Sequence, residues 1–162
     1  MQAIGRIHRP SLLLAAVATA TLLAGCGGGD DKNKDTAKFD SGAKAATTET
    51  TKIGTDIGTA IQTASKQTDA ELAATFTDLA SRARGVVADL NALDPPAASR
   101  AKVNALVSAL GTGAQDLDAI GTAARGHDAS SARSATQTLV GDSPPIKAAK
   151  DALDADLQKD AK

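Results

Sequence analysis

Few side chains in this 162-residue sequence have types or spacings suited to chemistry, and they fall in four places. Cys26 is the only cysteine and closes the run Leu23-Ala24-Gly25-Cys26; its sulfur is the one strong nucleophile and acyl acceptor in the chain. His127, between Gly126 and Asp128, is the imidazole that any hydroxyl nucleophile of the main domain would need as its base. No G-x-S-x-G turn accompanies it. At a helix junction, a cationic His127 instead complements the end of the preceding helix. Asp116-Leu117-Asp118 has the alternate-residue spacing that opens a calcium loop, but Ile120 occupies the third ligand place. Two solvated aspartates on a helix are expected there. Gly111-Thr112-Gly113 lacks the Lys-Ser/Thr of a phosphate loop.

Metal and cofactor chemistry fares no better. Glutamate occurs only at Glu49 and Glu71, and no Glu-x-x-His pair exists from which a di-iron bundle site is built. Zinc takes three or four Cys, His or carboxylate ligands, and haem an axial His, Met, Cys or Tyr. Of the strong donors only His127 remains, and a helix end does not face a core. The expectation is no catalytic residue, no metal, no cofactor, and no enzyme.

The surroundings of Cys26 give it a different meaning. Residues 1–10 carry Arg6 and Arg9 and no acid; residues 11–25 are uncharged and rich in Leu and Ala, with Val17 among them. A basic start, a short apolar run and small residues before a cut describe a cleaved signal peptide. The apolar run is shorter than the roughly twenty residues that span a bilayer. Leu23-Ala24-Gly25-Cys26 resembles the lipobox of bacterial lipoproteins. That resemblance implies cleavage between Gly25 and Cys26, a diacylglycerol on the Cys26 sulfur, and acylation (palmitate, for example) of its new amine. Two or more acyl chains make a stable anchor where one is marginal. The resemblance covers residues 1–26 only. It implies an envelope location: the outer leaflet of the cell membrane in a one-membrane bacterium, or, with Gly27 after the cysteine, the outer membrane in a two-membrane one.

Composition narrows the remainder. The whole chain has 18 basic and 19 acidic side chains; Arg6 and Arg9 leave with residues 1–25, so the formal charge falls from −1 to −3. That balance argues against nucleic acid as partner. There is no Trp or Tyr, Met1 is the only methionine, and Phe39 and Phe76 are the only aromatic residues.

The elements that must position these groups are helical. Residues 26–35 begin with Gly27-Gly28-Gly29 and continue with charge, and are expected to be a flexible spacer. Beyond them, residues 36–162 form the domain. Leu72, Phe76, Leu79, Ala83, Val86, Leu90 and Leu93 step by three or four, as one face of a helix does. Val103, Leu106, Leu110, Gly113, Leu117, Ile120 and Ala124 form a second such seam, and Phe39 through Ala64 a weaker one. The last segment offers Ala132, Thr136 and Leu139, then Ile146, Leu153 and Leu157. Thr68 and Glu71 form a capping box; Asp94 before Pro95-Pro96 and Ser143 before Pro144-Pro145 read as N-caps; Gly126 closes one helix in the left-handed conformation and Asp128 opens the next.

An all-α, antiparallel four-helix bundle follows, with helices at 36–66, 69–93, 95–125 and 128–160, the fourth broken or kinked near 142–144. Nine threonines between 36 and 68 make the first helix the weakest former. Gly54 and Gly58, four apart, are expected to admit close packing within the bundle. Small residues in the seams argue against a large internal pocket, though a groove between two helices is compatible with them. The first functional expectation is a non-enzymatic interaction or spacer module, tethered through Cys26, whose partner is an unidentified envelope protein or cell-wall component. The alternative is a carrier or sensor holding a small apolar ligand or peptide in an inter-helix groove.

Overall fold

A computed structural model describes residues 30–159. Four helices make up nearly all of it: α1 (Asp30–Thr63), α2 (Asp69–Asn91), α3 (Ala97–Arg125) and α4 (Ala129–Lys159), with a 3-10 turn at Ala64–Lys66. There is no strand among the described residues.

Helix α1 begins at Asp30, so residues 30–35 of the expected spacer are helical. No Gly or Pro lies between Asp30 and Ser41, and a helix nucleated by the burial of Phe39 propagates outward until something stops it. Its threonines are accommodated by back-bonding. Thr51, Thr55, Thr59 and Thr63 each donate their hydroxyl to the carbonyl four residues earlier, at 2.8–3.1 Å. The competition for backbone groups that weakens threonine in helices is thus resolved within the helix itself.

The Thr68–Glu71 capping box forms as expected. The Thr68 amide donates to Glu71 Oε2 at 2.8 Å and the Glu71 amide to Thr68 Oγ1 at 3.3 Å. The other helix ends differ from expectation. Helix α3 starts at Ala97 rather than 95, and Pro96, not Asp94, stands at its N-cap with no side-chain bond. A proline pushes the residue before it into extended backbone, so Pro95 cannot enter the helix ahead of Pro96. At the other end Gly126 has φ −83°, and the left-handed position falls on His127 with φ 54°. The Asp128 amide reaches the Ala123 carbonyl at 2.9 Å and the His127 amide the Ala124 carbonyl at 3.0 Å, a Schellman closure centred one residue later than expected. Asp128 then opens α4, accepting from the Ser130 and Ser131 amides at 3.1 and 3.0 Å.

Helix α4 is not broken at 142–144. It is continuous through Pro144 and Pro145. Ser143 does not cap a new helix; its hydroxyl donates back to the Leu139 carbonyl at 2.8 Å. The two prolines leave the Val140 and Gly141 carbonyls without their usual amide partners, on a stretch where Val140, Ser143, Pro144 and Pro145 are exposed.

Cross-helix pairs fix the arrangement. Gly42 lies against Leu93 and Glu49 meets Arg82; Arg125 meets Thr77 and Arg84 meets Asp118; Ser99 meets Asp156 and Gly113 lies against Ile146. In each set one number rises as the other falls, so successive helices are antiparallel. Contacts run α1–α2–α3–α4 and back to α1, the circuit of an up-down-up-down bundle. The core contains the expected seams, with Phe39, Phe76, Leu79, Leu90, Leu106 and Leu117 buried among others. Arg82 bridges Glu49 and Asp56, both at 2.7 Å, tying α1 to α2. Lys102 and Ser99 both hold Asp156 at 2.7 Å, tying α3 to α4.

Candidate functional site

The α1–α4 seam is the most loosely packed of the four. Helices α2–α3 and α3–α4 pack far more extensively than α1 does against α4. Along the seam a cavity of about 270 Å³ opens between the two helices and reaches down to α2 and α3. Its body is aliphatic: Ile53 and Ile57 from α1, Leu110 and Leu117 from α3, Leu139 and Ile146 from α4. That volume lies just under the roughly 300 Å³ at which small-molecule sites begin.

Residues that sacrifice helix stability stand on both sides of the opening. Gly54 lines it, and a Cβ built there or at Gly58 would meet nothing within 4 Å. The close packing expected of these glycines is therefore not formed. Close approach occurs instead at Gly113, whose Cβ would meet Ile146 Cδ1 at 2.9 Å, and at Gly121, beside the Ala73 carbonyl at 3.3 Å and Thr77 Oγ1 at 3.1 Å. Across from Gly54, Ser143 and Ile146 flank Pro144 and Pro145.

The polar groups of the lining are few. Thr50, Thr51 and Ser143 have donated their hydroxyl protons to the Ala46, Thr47 and Leu139 carbonyls of their own helices. Lys147 and Lys150 are the only charged residues of the lining. Both reach Asp151 outside it, Lys147 at 2.5 Å and Lys150 at 3.0 Å, and Lys150 also holds Asp154 at 2.8 Å. Hydrogen bonding to Asp154 first, and to Asp151, raises the Lys150 pKa, while Lys147 and then Lys150 lower that of Asp151. Lys147 and Lys150 thus stand at the rim of the groove, ion-paired to carboxylates of their own helix.

The residues singled out in the sequence are not gathered here. Leu23, Ala24, Gly25 and Cys26 lie outside the described residues. His127 is exposed at the far turn, its Nδ1 2.6 Å from Asp69 Oδ2. Asp118 pairs with Arg84, and Asp116 is partly buried, its pKa raised by burial and by the neighbouring Asp142; neither is the freely solvated aspartate expected. Among the described residues no three His, Cys, Asp or Glu side chains are grouped so as to hold a metal ion, and no helix is long and apolar enough to cross a membrane. Sequence reasoning missed Lys147, Lys150 and Ser143. The only signal pointing toward them was the concentration of helix-unfavourable residues, Gly54 and Gly58 on one helix and Pro144-Pro145 on its neighbour. No protein-family model, curated protein or solved structure matches this chain.

Proposed function

We propose that the chain is a lipid-anchored envelope protein, tethered through Cys26, that works by binding a small apolar ligand rather than by catalysis. The Leu23-Ala24-Gly25-Cys26 motif supports the anchor, and the aliphatic cavity between α1 and α4 is the observation that carries the binding. A pure spacer has no use for an aliphatic opening that forgoes core packing between α1 and α4. Of the two functions compatible with the sequence, the cavity favours the carrier or sensor over the interaction or spacer module. Delivery to, or signalling through, another envelope component is then the role of the partner.

Two measurements test the two halves of the reading. Replacing Cys26 by Ser is expected to abolish labelling with radioactive palmitate and to move the protein out of the membrane fraction. Membrane retention of a signal-cleaved Ser variant would show the anchor to be elsewhere. Native mass spectrometry of the full chain purified from its host is expected to show a co-purifying molecule of small mass. A protein that emerges empty, and stays empty after incubation with host lipid extract, would return the function to the interaction or spacer module.

A further inference from the structure

The chemistry of the groove narrows its ligand beyond "small and apolar". We infer that it takes a single-chain amphiphile with a carboxylate head, a long-chain fatty acid being the simplest member; this rests on the binding role proposed above.

The depth of the groove provides no hydrogen-bond donor. Its three hydroxyls have donated their protons to helix carbonyls, and the remaining walls are aliphatic. A sugar, a nucleoside or an extended peptide would lose the hydration of many polar groups there without replacement, at a cost of about 1–3 kcal/mol for each. Nor does the lining contain an aromatic ring on which a base or sterol face could stack. A polymethylene chain requires none of these. A cavity of about 150 Å³ lined by apolar side chains accepts a benzene, so in proportion this one holds about ten carbons, with a longer chain extending out of the mouth.

The head is set by the rim. The lining has two cations and no anion. Each ammonium has three donors. Lys150 has engaged Asp151 and Asp154, and Lys147 has engaged Asp151, so each ammonium retains a donor for a ligand at the rim. The Asp151 carboxylate spans the two ammonium groups, one oxygen on each. A ligand carboxylate at the mouth has that same pair of donors to bridge, with its chain directed between Gly54 and Ser143. Charge-assisted bonds of this kind are about twice as strong as neutral ones, which favours an acid over the alcohol of equal length.

The test uses the full chain in phosphatidylcholine vesicles with two twelve-carbon probes, each carrying a diazirine at mid-chain: a carboxylic acid and the matching alcohol. Irradiation and peptide mapping are expected to place the acid on residues 50–57 and 139–150. Gly54→Leu fills the opening from a helix position with free space around it, and is expected to cut labelling about tenfold, a loss of about 1.4 kcal/mol. Gly54→Ala, which adds helix stability without filling the groove, should leave labelling in place. The alcohol should label the same peptides several-fold more weakly, and Lys147→Gln with Lys150→Gln should erase the difference between the probes. If acid and alcohol label equally in the unaltered chain, the carboxylate class is overturned while the apolar site stands. If neither probe labels the groove above the rest of the surface, or if Gly54→Leu labels like the unaltered chain, the ligand assignment and the binding role fall together.

Discussion

Helix α3 and helix α1 are both long and both rich in small residues, but they are held differently. Helix α3 is packed along α2 on one side and α4 on the other, with Gly121 set against the α2 backbone, Arg84 reaching Asp118, and Lys102 and Ser99 on Asp156. Helix α1 is pinned to α2 through Arg82, whereas the lysines of α4 that face α1 pair within α4. The side chains of the two seams are alike; what differs is whether glycine lets a neighbour in or leaves a gap. In a bundle with almost no aromatic residues, closure depends on such close approaches, and omitting them along one seam is enough to open a groove.

The largest expected effect separates the two seams by volume. Leu106, on α3, is completely buried, and Leu106→Ala should lower unfolding free energy in urea by about 3 kcal/mol, within the usual range for a buried leucine. Ile57, partly buried at the groove, already borders open space, and Ile57→Ala should lose only about 1 kcal/mol of transfer energy with little added cavity penalty. Equal losses would mean that the α1–α4 seam closes in solution.

Next comes the polar pin of α3 on α4. Asp156 is held by Lys102 and then Ser99, which lower its pKa. A carboxylate with a depressed folded-state pKa contributes stability that is present above its unfolded value, near 3.9, and lost as pH falls through the folded one. Asp156→Asn should therefore lose about 1–2 kcal/mol at pH 7. The gap to the unaltered protein should close as the pH is lowered below about 4. A gap that persists unchanged at pH 2 would assign the loss to shape rather than to charge.

How much of this was legible in the sequence follows from the range of each interaction. The seams through Phe76 and Leu117, the capping box at Thr68 and the cap at Asp128 are set by residues within a turn or two of one another, and they read correctly. The Pro95-Pro96 start and the Gly126 closure were misplaced by one or two residues because two neighbouring groups competed for the same backbone position. The break expected at 142–144 does not occur, because local propensity yields to the packing of Leu139 before the prolines and of Leu153 and Leu157 after them. An inter-helix groove was compatible with the sequence, but its position was not legible. Whether Gly54 marks a contact or a vacancy depends on a helix ninety residues away, and periodicity carries no information on that.

The same substitution on the two seams should then change sign. Gly54→Ala and Gly58→Ala each remove a mid-helix glycine with nothing near the new methyl, and should raise stability by about 0.5–1 kcal/mol apiece. Gly121→Ala makes the same gain in propensity but presses a methyl on the Ala73 carbonyl, which is backbone and yields little. With overpacking at about 1–3 kcal/mol, the net should be a loss of about 1. Thermal melts of the three variants suffice, and a stabilised Gly121→Ala would erase the distinction between a packed and an open glycine.

The smallest effect lies where the well-packed side is itself imperfect. Asp116 on α3 sits beside Asp142 on α4, and its Oδ2 is buried without a hydrogen-bond partner. Burial first, and the like charge of Asp142 second, raise its pKa. A group whose folded-state pKa is raised contributes stability that is complete below its unfolded value and lost as pH rises through the folded one. At pH 7 the charged Asp116 is therefore a net burden, partly screened because the residue is only half-buried. Asp116→Asn should raise stability at pH 7 by a few tenths of a kcal/mol up to about 1, with the advantage vanishing below about pH 4. Unfolding midpoints of both proteins measured from pH 4 to 7 would show it as two curves that meet at the acid end and separate upward. Curves that run parallel would mean that Asp142 does not face Asp116 across the seam, and that α3 and α4 are joined there as cleanly as elsewhere.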